Sequence, residues 1–339
     1  MLKTSSDKIK KFDYCGACSF YLGAIVVTLI CQALVGVVST LLSKSFPDIA
    51  TNGDFLTAFM IFIQAANALF ILLFCKVNKY RFDCALACKP DKKVDYRDFI
   101  IPVVGAIVLL CGMYLPTLWY GYFTTYALHI SPTAGNIDLS TPSSVVMIVI
   151  ASVFMAPVFE ETIYRGVLFN GLRKNGGAVK AVLLSALAFM LMHMSPIQVV
   201  FQFSLGALSA VIMNKTRRLL PCVLLHATAN AAALAIQFEP LVGVIGGCEV
   251  WLVANPVAAA FITLALLAAG GAVLFALVRF GYGKQNAQAE AGESDDEKVT
   301  PQTVALADAR KKDGTMRYFI ALAISGVLFV INLITMIAG

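Results

Sequence analysis

Apolar residues in this chain run in blocks of about twenty, and polar residues gather between the blocks instead of alternating within them. A helix rises 1.5 Å per residue, so about 20 apolar residues cover the hydrocarbon core of a bilayer. The blocks predict helices over 17–42, 55–75, 99–120, 143–171, 180–194, 196–213, 219–237, 257–278 and 317–338. The 180–194 and 196–213 pair is short and joined only by Ser195 and Pro196. One stretch departs from the pattern: 281–316, with "KQNAQAEAGESDDEKVT" and "DARKKDG", is too polar to bury a core. It predicts a flexible cytosolic linker carrying the last helix. The expected fold is all-α, a polytopic membrane protein of about eight helices in a bundle plus a C-terminal ninth span. The expected division is 1–98 for the first spans and a basic cytosolic loop, 99–280 for a membrane domain, then the linker 281–316 and the helix 317–339.

Composition sharpens this picture. Of 339 residues, 59% are hydrophobic and 14% charged, with a mean hydropathy of +0.80. Soluble domains carry about 25% charged residues, so a soluble fold is excluded. The net charge of +6 does not point to nucleic acid, but its distribution reports on topology. Lys3, Lys8, Lys10 and Lys11 precede the first span, and the loop 76–98 holds seven Lys or Arg. Arg173, Lys174 and Lys180 fall after the fourth span, and Lys215, Arg217 and Arg218 after the sixth. The alternate loops 121–142 and 238–256 hold no Lys or Arg. That alternation predicts a multi-pass protein of a bacterial cell membrane with its N-terminus in the cytosol. The first apolar run is long and lacks a small-residue cleavage site, so no cleavable signal peptide is expected. The pairs Cys15 with Cys18 and Cys84 with Cys88 fall on the cytosolic side and read as plain thiols, not as disulfides or a zinc site.

Charge inside an apolar helix costs about 2.5–3.5 kcal/mol on insertion scales and usually faces a wet cavity. "VFEETIYRG" at 158–166 carries Glu160, Glu161 and Arg165 in such a helix. Glu161 and Arg165 are i and i+4, share a face and can pair. Glu160 lies about 100° round the helix and can point elsewhere. "FMLMH" places Phe189 four residues before His193, and "HATAN" stacks His226 and Asn230 on one helix face. Of the three histidines, only His129 falls in a loop. Glu160 is about 20 Å of helix before Arg173, and His193 about 20 Å after Lys180, so a hairpin brings them to one depth. His226 is about 12 Å past Arg218. The three groups are expected to converge in a cavity opening to the cytosol, with Arg165 structural beside it. Taken singly, each is more simply an interhelical hydrogen bond.

These motifs, Glu-Glu-x-x-x-Arg at 160–165, Phe-x-x-x-His at 189–193 and His-x-x-x-Asn at 226–230, resemble the CAAX prenyl endopeptidase and Abi (CPBP) family of intramembrane proteases. The likeness covers about 143–237. It implies an endopeptidase in which Glu160 is the general base and Glu161 supports it. His193 and His226 would bind water and stabilise the oxyanion, and Asn230 would add a polar contact. The substrate implied is a peptide or protein tail, lipidated or not, met among membrane lipids and without nucleic acid. No cofactor is expected. If zinc were bound, Glu160, His193 and His226 would hold it, but no His-Glu-x-x-His pattern fixes two ligands on one helix. Two other classes compete: a non-catalytic bacteriocin-immunity or abortive-infection protein, and a proton-coupled transporter. No internal inverted repeat supports the transporter.

Overall fold

The computed structural model describes residues 11–46, 53–82, 94–127, 139, 141–238, 241–282 and 301–338. Nine helices form the described part, and no strand occurs among the described residues. We number them α1 (Tyr14–Ser45), α2 (Gly53–Val77), α3 (Arg97–Ala127), α4 (Pro142–Met192), α5 (Val199–Thr216), α6 (Leu219–Ala235), α7 (Leu241–Ala254), α8 (Pro256–Ala276) and α9 (Pro301–Ala338). Seven are long and apolar enough to cross a membrane, whereas α6 and α7 are shorter. The chain is therefore a polytopic helical membrane protein, as the apolar blocks predict.

Local chemistry sets the ends. Asp13 caps α1 by accepting from the Gly16 N–H at 2.7 Å. Thr141 caps α4 by accepting from Ser144, and Pro142 follows at the first helical position, where its missing N–H is no loss. Gly177 divides α4 into an outgoing and a return limb. Its φ of 78° and ψ of 174° suit glycine and no residue with a Cβ. The reversal is severe: Glu160 and His193 would lie about 50 Å apart on a straight helix, yet their side chains come within 4.0 Å. The predicted hairpin between the fourth and fifth spans is thus present.

Two expectations fail. The stretch 238–256, read as a loop between two spans, contains α7, whose 14 residues cover only about 21 Å and cannot span. The segment read as linker is helical from Pro301, so 301–316 belongs to α9, while 283–300, like His129, Cys84 and Cys88, lies outside the described residues. Polarity misled here because those turns face another polar surface, the start of α1. Arg310 pairs with Asp13, Cys15 donates to Asp313, Arg317 reaches Ser19, and Tyr14 meets Thr315. Further along, the buried Tyr318 donates to the Leu184 carbonyl of the return limb at 2.9 Å. Thus α9 is packed into the body of the protein.

Packing is uneven along the bundle. One end holds the Gly177 reversal, the starts of α1 and α3, and the α5–α6 turn; Arg218 pairs there with Asp98. Toward that end Phe20, Tyr21, Tyr164, Leu168, Phe169 and Tyr318 are essentially inaccessible. Toward the other end, where α4 begins and the return limb stops, the same helices carry mostly partly exposed positions. Lipid tails are as apolar as leucine, so this difference reflects side-chain fit and interhelical hydrogen bonds, not hydrophobic drive.

Candidate active site

The two glutamates occupy one six-residue α-helical piece, Ala156–Glu161, between two π-helical segments, Val149–Met155 and Thr162–Phe169. Such widened turns shift side chains round the helix and occur often at functional sites. Here they bracket the only acidic pair in α4. From Glu160 to Phe169 every position is buried, whereas between Pro142 and Phe159 exposed and partly exposed positions recur.

Glu161 is completely buried and fully engaged. Its Oε1 accepts from Arg165 Nη1 at 3.0 Å and lies 3.0 Å from His226 Nδ1, and its Oε2 accepts from Ser209 Oγ at 2.6 Å. Arg165, also at 0% exposure, sends Nη2 to the Gly206 carbonyl at 3.0 Å and lays its guanidinium over the Phe189 ring at 4.4 Å. A Cβ at Gly206 would press within 3.4 Å of Ala186, Arg165 and Phe189, so this crossing needs glycine. The predicted i, i+4 pair exists, and four elements hold it.

Glu160 differs. Its Oε1 accepts from Gln64 Nε2 of α2 at 3.4 Å, while its buried Oε2 has no hydrogen-bond partner. That oxygen faces His193 Nε2 across 4.0 Å. The helix end explains the pose of His193. Its backbone N–H turns to the Met190 carbonyl, leaving the Phe189 carbonyl without its usual i+4 donor. The His193 ring takes up that carbonyl through Nδ1 at 2.8 Å. A carbonyl only accepts, so Nδ1 carries a proton, and when the ring is neutral its Nε2 presents a lone pair to Glu160. The next residue, Met194, has a left-handed φ of 50°, and Asn332 of α9 donates to its carbonyl.

Phe189 ties the parts together. Its ring meets the rings of His193, His226 and Tyr164 edge-on at 4.7, 5.5 and 5.3 Å. Asn230 is placed elsewhere: its amide donates to the Ser152 carbonyl of the first π-helical segment at 2.7 Å and clamps α6 to α4. Glu160, Glu161, Arg165, Phe189, His193 and His226 are thus brought together, and Asn230 supports them from the side. Sequence reading missed Gln64, Ser209, Gly206 and Asn332. Gln64 had a signal, one of two amides, with Asn67, in an apolar span; the others depend on which helices meet.

Among the described residues no group of three or more His, Cys, Asp or Glu side chains is placed to hold a metal ion. Toward the Gly177 reversal the site is backed by the buried Tyr164, Leu168, Phe169 and Leu172, and on the other side His193, Met194 and Ser195 are partly exposed.

Fold and site together define a helical membrane protein with a carboxylate and an imidazole apposed inside the bundle. Residues 142–232 match the family described as type II CAAX prenyl endopeptidase Rce1-like, which supports the likeness to the CAAX prenyl endopeptidase (CPBP) family. The match takes in α4, α5 and most of α6; the other helices lie outside it. No curated protein and no solved structure matches the chain. The match points to a CAAX-type membrane protease and does not favour the non-catalytic alternative.

Proposed function

We propose that the chain is an intramembrane endopeptidase in which Glu160 activates water against a peptide bond in a peptide or protein tail. One observation carries this reading: two acceptors, Glu160 Oε2 and neutral His193 Nε2, face each other across 4.0 Å with nothing donating to the carboxylate oxygen. A water placed between them donates one hydrogen to each and presents its oxygen lone pair outward. As that oxygen attacks the substrate carbonyl carbon, its proton passes to Glu160. Glu160 then delivers the proton to the leaving nitrogen as the C–N bond breaks, giving a carboxylic acid and an amine.

The tetrahedral oxyanion needs an N–H donor in a dry site. His226 gives its Nδ1–H to Glu161, so its Nε2 donates only when the ring carries both protons. Asn230 would have to leave Ser152 to reach substrate, so we assign it to holding α6 in place. Glu161 and Arg165 fix His226 and take no proton. No step is routed through a metal; chelation that leaves turnover unchanged in metal-free buffer supports this, and loss restored by zinc refutes it. We keep the N-terminus in the cytosol of a bacterial cell on the positive-inside count. The substrate tail, lipidated or not, then reaches Glu160 from the end of the bundle remote from the basic turns. Comparing the C-termini of membrane proteins from cells carrying wild type or Glu160→Gln tests the reading. Cleaved tails absent only in the variant are expected, and identical sets of C-termini would sink it.

A further inference from the structure

At the end of the bundle opposite the Gly177 reversal, between the outer half of α3, α7 and the turn Pro196–Gln198, lies a cavity of about 420 Å³. Its walls are mostly apolar, but Tyr114, Thr117, Tyr122 and Thr125 line it with hydroxyls and Glu249 with a carboxylate. Pockets of this size, apolar with a few placed polar groups, are typical ligand sites. Glu249 is the only charged residue of α7. Its carboxylate accepts from the Tyr114 hydroxyl, a neutral donor that leaves the charge standing. Among the described residues no Lys, Arg or His lines the cavity to neutralise it. Thr117 Oγ1 is buried with no hydrogen-bond partner, a second polar group awaiting one. A carboxylate kept at such a place in an apolar helix calls for a cationic partner.

The cavity is tied to the catalytic residues through the chain itself. Ile197 lines it and follows His193 by four residues, a reach of at most about 14 Å. A peptide in extended form covers that distance in about four residues. We infer that this cavity is a subsite of the endopeptidase proposed above, taking a Lys or Arg side chain of the substrate within about four residues of the cut bond. The methylene stem lies along Leu118 and Ile197, and the cationic head meets Glu249 and the hydroxyls. An adjoining apolar cavity of about 580 Å³, sharing Tyr114 and walled by Trp251 and Leu252, leaves room for a bulky apolar neighbour of that residue.

The inference rests on the proteolytic reading, and the test separates the two. Full-length wild type, Glu249→Gln and Glu249→Lys, each in lipid nanodiscs, are given quenched fluorescent peptides that differ only in Lys, Ala or Glu at each of four positions on either side of the cut bond. Wild type should prefer Lys over Ala at one position by at least about tenfold in kcat/KM. Glu249→Gln should lose that preference while cutting the Ala peptide within about twofold of wild type, and Glu249→Lys should favour the Glu peptide. Thr125→Lys, which puts an ammonium of the protein's own into the cavity, should slow the Lys peptide alone and serves if the Glu249 variants accumulate poorly. A wild type that cuts peptides with the same Lys-to-Ala ratio as Glu249→Gln, or as Thr125→Lys, overturns the subsite and leaves the protease standing. A wild type that cuts nothing beyond the Glu160→Gln background overturns both.

Discussion

Glu160 and Glu161 are neighbours in sequence and opposites in structure. Glu161 lies on the closed side of the bundle with Arg165, Ser209 and His226 all directed at it. Glu160 lies at the edge of the open side with one long contact to Gln64 and one oxygen unpartnered. A 100° step round one helix turns one carboxylate toward three converging side chains and the other toward a thinly packed margin. The pair shows how a protein keeps one charge for structure and its twin for chemistry: it saturates the hydrogen bonds of the first and withholds them from the second.

The strongest way to break the comparison is to remove the working partners. Glu160→Gln and His193→Ala should each lower cleavage by about 10²–10⁴-fold, the usual contribution of a general base, while folded protein stays near the wild-type amount. Failure of both variants to accumulate in membranes would make these groups structural and erase the distinction. Arg165→Ala should do the reverse. It leaves the Glu161 charge buried without its cation, at a cost of about 3–5 kcal/mol, so folded protein is lost before activity can be compared. Pairing Arg165→Met with Glu161→Met should recover much of the yield but not turnover, because removing both charges relieves the burial cost. An Arg165→Ala protein with an unchanged melting temperature would show that the pair carries no weight.

A smaller effect sharpens where the open side is held. Asn332→Ala removes one hydrogen bond to the Met194 carbonyl, worth about 0.5–1.5 kcal/mol, and releases a left-handed residue next to His193. Hydrogen exchange should quicken in the 193–196 turn and kcat should fall with KM unchanged. Unaltered exchange there would mean that α9 only fills space. Because α9 grips the return limb at Leu184 and at Met194, its deletion should lower activity as well.

The smallest effect concerns the margin of the open end. Asp54, half-buried beside the start of α4, accepts from Ser144, Ser143 and Thr141, and these donors hold its carboxyl below the ordinary value of 3.8. A group whose pKa is depressed on folding adds stability above its unfolded pKa and loses it as pH falls through the folded one. Melting temperature should therefore hold from neutral pH down to about pH 4 and decline below it, and Asp54→Asn should show a shallower acid decline. Parallel acid limbs in the two proteins would detach Asp54 from the α4 cap.

Much of this was legible along the chain because it depends on local periodicity. Blocks of apolar residues gave the membrane helices, and the i, i+4 spacing gave the Glu161 and Arg165 pair. Two helices of similar length about a turn gave the meeting of Glu160 with His193. What remained hidden depends on which distant surfaces touch. Gly206 supplies a carbonyl to Arg165 only because α5 crosses α4 closely there. The polar turns of α9 read as a linker until Asp13 and Ser19 of α1 stand opposite them. Sequence alone determined that two carboxylates and two imidazoles would sit within helices, since inserting them is costly enough to mark a purpose. Only the tertiary structure decided which carboxylate is saturated and which end of the bundle is open, because hydrogen-bond satisfaction and packing density belong to several helices at once.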